Sequence, residues 1–312
     1  MRAFVAPTDS AWFDFLSLQP GIDEVNFWMP KPWGGRFGVL KRGEPLLFKL
    51  KRERNAIAGG GFFEHYTELP ISLAWEAFGI KNGAPSLETV RESIARLRRE
   101  RAGRWSDYTI GCILLVEPFF WPREMWIPDP PGFQRNIVRG RSYDLASVDG
   151  QWIWNAVLER LAAAPSSPGG AAVPSSLVPG GFTDPVLHRR RIGQGTFRVV
   201  VTDAYGRRCA VTGEKALPAL EAAHIRPFSA TQTHSVQNGL LLRSDVHRLF
   251  DAGYLTVTPE HRVEASSRMR EDFDDGDNYM RLHGSGILVP AREELWPDPD
   301  ALRWHNENRF RG

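Results

Sequence analysis

A run of proline, glycine, serine and alanine constrains this chain more than any other feature. From Ala162 to Asp184 it reads AAAPSSPGGAAVPSSLVPGGFTD, with no apolar repeat at helical or strand spacing. Such a segment buries too little apolar surface to offset the entropy of ordering its backbone. The polypeptide is therefore expected to fold as two bodies joined by a linker, with boundaries at 1–158, 159–184 and 185–312.

The 312 residues suffice for two ordinary domains, and 42% hydrophobic with 24% charged residues is a globular balance. No run of 18 apolar residues occurs, and the N-terminus lacks the basic start and unbroken apolar core of a signal peptide. These features point to a cytoplasmic protein with no membrane partner. The two cysteines, Cys112 and Cys209, are too far apart in sequence for a zinc ribbon or disulfide framework. Any metal must then be held by histidine and carboxylate. A net charge of +2 does not by itself indicate nucleic acid. However, His188, Arg189, Arg190, Arg191, Arg198, Arg207 and Arg208 cluster against only Asp184 and Asp203. The cluster reads as a phosphate-contacting surface, with an ordinary solvated face as the alternative.

Ahead of the linker, β-like runs at Leu46 to Leu50 and Ile110 to Val116 accompany a helix from Leu87 to Arg101. That helix has Ser86 as its N-cap, an apolar repeat of Leu87, Val90, Ile94 and Leu97, and Gly103 at its end. Behind the linker, Phe197, Val200, Val201 and Ala204 mark a helix ending near Gly206. A turn at Val211 to Lys215 follows, then a strand through Glu221 to Ile225, a long loop, a strand at Gly239 to Arg243, and a helix from Ser244 to Ala252 stopped by Gly253. The class is α+β.

The chemistry concentrates in that last series. His224 lies on the first strand, Asn238 closes the loop, and His247 sits in the helix with Asp251 four residues on. Positions i and i+4 share a helix face, so His247 and Asp251 can reach one cation that keeps other positions open. His224 is left as general base, since an imidazole is partly free to take a proton at neutral pH. Asn238 carries both a donor and an acceptor and can pin the loop. The remaining histidines, His65, His188, His234, His261, His283 and His305, read as surface or structural residues.

YGRRCAVTG (205–213), EAAHIRP (221–227), NGLLLRSDVHRLFDAG (238–253) and RWHNENRF (303–310) resemble the HNH, or ββα-metal, endonucleases of bacterial restriction-type proteins. The resemblance implies His224 as general base, Asn238 as the central asparagine and His247 as a metal ligand, with Mg²⁺ or Mn²⁺ as cofactor. One departure is clear: the ligand that usually precedes the base is replaced by Ala223. Strand alternation sends Glu221 to the same side as position 223, so Glu221 or Asp251 is the replacement ligand. Asp245 can equally be a helix cap.

In the front half, VNFWMPKPW (25–33), GEPLLFKLK (43–51), NAIAGGGFF (55–63) and LAWEAFGIKNG (73–83) resemble the PUA-like β-barrels, which include the EVE, ASCH and SRA readers of modified bases. By that resemblance Asn26, Phe27, Trp28, Trp33 and Trp75 form a pocket that stacks a flipped base. Gly59 to Gly61 either let a nucleotide approach the backbone or mark a bulge. The combined expectation is a modification-dependent restriction endonuclease acting on modified double-stranded DNA as a homodimer. A nuclease directed by sequence or nucleic-acid structure, and a non-cleaving reader, are the alternatives.

Overall fold

The structure, a computed structural model, describes the chain except residues 36, 52–53, 101–105, 129, 135–136, 164–192, 232–233 and 275. It divides into two compact units, Met1–Gly193 and Gln194–Gly312. Most of the segment read as linker, from 164 onward, lies outside the described residues, as do Arg189, Arg190 and Arg191.

In the front unit the elements run β1 (Arg2–Thr8), α1 (Ser10–Ser17), β2 (Glu24–Met29), β3 (Pro45–Leu50), β4 (Ala56–Pro70), α2 (Ile71–Phe78), α3 (Leu87–Arg98), β5 (Thr109–Phe120), β6 (Ile127–Pro128), β7 (Arg141–Asp144) and α4 (Val148–Ala163). One seven-stranded sheet has the order β2-β5-β4-β3-β1-β7, with β6 paired to β4. Only β1 and β3 run parallel; the other pairs are antiparallel. The period of two along a strand separates two cores. Phe4, Ala6, Leu46, Phe48 and Leu50 face one core, closed by Trp12, Phe13 and Leu16 of α1. Ala3, Val5 and Leu47 face the other, closed by Ile153 and Val157 of α4. Each such large side chain contributes roughly 1.5–3 kcal/mol by burial.

Two features differ from the sequence reading. The expected barrel is an open sheet: β2 pairs with β5 and β7 with β1, and no ladder among the described residues joins these two ends. Helix α4 also runs to Ala163, into the segment read as linker, because Leu161 packs on the second core and Arg160 Nε donates to Met125 O at 2.5 Å. The triple glycine serves strand packing. A Cβ on Gly59 would lie 2.2 Å from Phe119 O, and the β4–β5 register shifts between Gly60 and Phe62, so a bulge is present.

The back unit contains α5 (Gln194–Ala204), β8 (Leu220–His224), α6 (Phe228–Thr231), β9 (Gly239–Arg243), α7 (Ser244–Asp251), β10 (Leu255–Val257), β11 (Val263–Ala265), α8 (Arg268–Phe273), α9 (Asp277–Met280) and α10 (Pro299–Asn308). Two separate two-stranded antiparallel ribbons, β8-β9 and β10-β11, take the place of a large sheet. Helix α7 buries Val246 and Phe250, and Gly253 ends it with φ of 78°. The whole chain is mixed α+β.

Candidate functional site

The β8-β9 ribbon pairs His224 with Gly239, so the end of one strand and the start of the next come together. Asn238 locks the loop between them. Its Oδ1 accepts from Arg226 N at 2.8 Å, and its Nδ2 donates to Arg226 O at 2.9 Å. Both amide atoms are thus spent on backbone, and Asn238 O accepts from Ile225 N at 2.9 Å. Gly239 is required by close packing: a Cβ there would meet Val201 Cγ2 at 2.7 Å and the Phe197 ring at 3.0 Å. Phe197 of α5 can then stack on the His224 imidazole, centroids 4.0 Å apart and planes 10° apart. Tyr205, buried, donates its hydroxyl to Gly239 O at 3.2 Å.

His224 Nε2 lies 2.9 Å from His234 Nδ1, and His234 in turn stacks on Phe228 at 4.3 Å and 12°. Burial, with smaller contributions from His234 and His247, pushes His224 down to about 4. Its imidazole is therefore neutral at pH 7 and able to accept a proton. The sequence reading gave His234 no role. It sits in a loop, where no periodicity signals which way a side chain turns. Arg226 was also missed. Two residues after His224, its guanidinium lies over the Trp304 ring at 5.5 Å.

On α7, His247 sits between two carboxylates. Its Nδ1 donates to Glu221 Oε2 at 2.6 Å, and its Nε2 lies 3.3 Å from Asp251 Oδ2. Glu221 and Asp251 thus meet opposite edges of one imidazole, and no group of three histidine, cysteine or acidic residues converges on one point among the described residues. The pair His247 Nε2 and Asp251 Oδ2 nevertheless fits a hydrated divalent cation. Two adjacent ligands about 2.1 Å from Mg²⁺ are about 3 Å apart, and this ion fills its other positions with water and phosphate. Ala223 is fully buried. Asp245 stands in the first turn of α7, with Arg243 at the N-cap position. Its carboxylate takes two bonds from Arg243, at 2.6 and 2.7 Å, and one from Tyr279 at 3.0 Å, and these partners, Arg243 foremost, hold it down to about 2.

Arg198 lies on α5, Arg207 pairs with Asp203 at 3.0 Å, and Arg208 is exposed. Cys209 is buried and free, its Sγ accepting from Thr212 N and Arg243 N.

The front unit holds an open cleft of about 410 Å³. Aromatic residues Trp12, Phe27, Trp28, Trp33 and Phe37 line it, with Asp9, Lys31, Lys51 and Arg139 among its polar residues. Arg139 lies over the Trp33 ring at 5.7 Å. Of the residues expected in a base pocket, Phe27, Trp28 and Trp33 border this cleft. Asn26 and Trp75 do not. Asn26 alternates to the other side of β2 from Phe27, where it is fully buried and its Nδ2 donates to Asn82 Oδ1 at 2.9 Å. Trp75 is half-buried on α2. Trp12 was not foreseen, because it belongs to a short helix whose apolar face reads as core.

Residues 209–258 match the HNH endonuclease family model, and the matched stretch contains Glu221, His224, Asn238, His247 and Asp251. No curated protein sequence matches significantly. Among solved structures, an ASCH protein from Zymomonas mobilis aligns at 11% identity and a TM-score of 0.30, over 49% of this chain and 94% of that one. The modification-dependent TagI restriction endonuclease aligns at 15% identity and a TM-score of 0.28, over 99% of this chain and 81% of that one. No helix among the described residues is long and apolar enough to cross a membrane.

Proposed function

We propose that this chain is a modification-dependent DNA endonuclease. In this reading the back unit hydrolyses a phosphodiester with His224 as general base, and the front cleft receives a modified base, such as a modified cytosine, turned out of the duplex. The observation that carries the reading lies within the segment matching HNH endonucleases. A neutral imidazole at His224, a loop pinned by Asn238, and His247 flanked by two carboxylates are brought together there.

The hydrogen bonds support the following roles. His224 accepts the proton of the attacking water, a contribution of roughly 10²- to 10⁴-fold in rate. Asn238 keeps the loop closed. Glu221 orients His247 by holding its Nδ1 proton, which leaves the Nε2 lone pair facing Asp251. A Mg²⁺ or Mn²⁺ ion on His247 and Asp251 would supply positive charge to the phosphate and the leaving 3′ oxygen. Arg198, Arg207 and Arg208, with Arg189, Arg190 and Arg191, are assigned to phosphate contacts.

The cleft is of ligand-binding size, within the roughly 300–1,000 Å³ range of small-molecule sites. Its indole and phenyl faces suit stacking on a base, and Lys31, Lys51 and Arg139 suit the flanking phosphates. Cutting both strands with one site per chain calls for two copies, so the active form is assigned as a homodimer.

The test is digestion of matched duplexes, unmodified or carrying 5-methylcytosine, 5-hydroxymethylcytosine, glucosylated cytosine or N6-methyladenine, with Mg²⁺ or Mn²⁺ and with chelator. Metal-dependent cutting of one modified duplex over its unmodified twin is expected. Equal cutting of all would remove the modified-base reading, and no cutting of any would remove the nuclease reading.

A further inference from the structure

The contact between His224 and His234 raises a question of proton placement. Two neutral imidazoles joined by one hydrogen bond share one proton, so one nitrogen donates and the other accepts. If His234 Nδ1 donated, His224 would carry its own proton on Nδ1, and neither ring nitrogen could receive a proton from water while the bond held. If His224 Nε2 donates, its Nδ1 keeps a lone pair. His224 makes no hydrogen bond other than the one through Nε2 among the described residues.

We infer that His234 is a positioning residue for the general base: its Nδ1 accepts from His224 Nε2–H at 2.9 Å, fixing the tautomer that leaves His224 Nδ1 to take the proton. This rests on the nuclease reading above. Each ring is held in its plane by a phenyl face, His224 by Phe197 at 10° and His234 by Phe228 at 12°, so the edge-to-edge geometry is set before substrate arrives. As water attacks phosphorus, its O–H bond breaks and the proton passes to His224 Nδ1. The P–O3′ bond breaks with its electron pair leaving on O3′, which takes a proton from solvent. The charge gained by His224 is stabilised through the Nε2–H bond to His234, as an oriented partner does for the base of a catalytic triad.

Two measurements on the full chain test this. In ¹⁵N-histidine-labelled protein, with the His224 signals assigned by their loss in His224→Asn, the nitrogen shifts should place the His224 proton on Nε2. A proton on Nδ1 would overturn the proposal. On the duplex that the wild type cuts best, His234→Ala should lower kcat by about 10- to 100-fold at unchanged KM. His234→Asn, whose Oδ1 can accept where Nδ1 did, should recover most of the loss. Wild-type rates for His234→Ala would overturn the proposal. So would a His234→Asn variant as inactive as His224→Ala, which would make His234 itself the proton acceptor. If the wild type cuts no DNA, the nuclease reading falls, and the nitrogen shifts still decide the tautomer.

Discussion

The front unit buries large apolar side chains on both faces of one seven-stranded sheet, whereas the back unit has two short ribbons and fixes them with polar locks and stacked rings. Asn238 closes a loop with both amide atoms, Asp245 gathers Arg243 and Tyr279, and Phe197, Phe228 and Phe250 each stack on a histidine. A long sheet can carry a wide cleft while its interior stays apolar. A small fold that must hold several imidazoles and carboxylates a few ångströms apart has to satisfy each of them individually. If the two units divide recognition from chemistry, damage to each should show in different measurements.

The largest separation is expected for His224→Ala. Cleavage should fall by about 10²- to 10⁴-fold, while binding to the preferred duplex and the melting profile stay close to wild type. Substantial remaining cleavage, measured in single-turnover assays, would remove His224 as the base. Next in size, Glu221→Gln and Asp251→Asn should each cost about 10- to 100-fold, for different reasons. Loss of the Asp251 charge should raise the Mn²⁺ concentration needed for half-maximal rate. Loss of the Glu221 charge should raise it less and lower kcat, because a neutral amide holds Nδ1–H more weakly. Identical metal titrations for the two variants would return Glu221 to the ligand set.

The elements of the nuclease motif were legible because their signals are local. The Asn238-Gly239 pair, the apolar run of β9, the 3.6-residue repeat of α7 and Gly253 each act within a few residues. Helix α3 shows where local signals stop. Ser86 caps it as read, its Oγ accepting from Thr89 N, but the helix ends at Arg98 with Arg99 at φ 59°. No glycine marks that left-handed residue. Non-local features were not legible. The 15-residue β4 shifts register twice against β5 and once against β3, and Asn26 is claimed by Asn82 far along the chain. His234 meets His224 only because the loop folds back, and helix α4 presents a narrow buried stripe of Gly150, Ile153 and Val157 beside an alanine-rich tail.

In the front unit the contrast is between two tryptophans that border the cleft, Trp33 half-buried there and Trp12 rooted in the apolar core. Trp33 is half-buried at the cleft, and Trp33→Ala should reduce the preference for the modified duplex by about 1–3 kcal/mol, or roughly 5- to 150-fold, with little change in melting. Trp12 is 5% exposed and packs edge-on against Phe27 and Phe48. Trp12→Ala should instead destabilise the unit by about 3–5 kcal/mol. Calorimetry and competition binding separate the two outcomes. An unchanged preference in Trp33→Ala would remove stacking on that ring from the recognition scheme.

The smallest effect is one on stability, a pH dependence expected of the back unit. His305 of α10 is 3% exposed and stacks on Phe250 at 3.7 Å, with Nδ1 2.8 Å from Thr256 Oγ1 and Nε2 3.1 Å from Phe250 O. Both bonds need a neutral ring if Thr256 donates and Phe250 O accepts, and burial pushes His305 down to about 4 from 6.5. Below 6.5 the unfolded chain binds this proton and the native chain does not, so the unfolded state gains. The stability His305 contributes is therefore full above pH 6.5 and is lost progressively as pH falls towards 4. His224, also pushed down to about 4, adds a loss of the same sign over the same window. Urea titrations from pH 7.5 to 4.5 should show the back unit's midpoint falling. His305→Gln, which keeps one donor and one acceptor but cannot be protonated there, should flatten part of that fall and leave cleavage at pH 7.5 unchanged. A slope identical in His305→Gln and wild type would mean that the proton uptake belongs to another group.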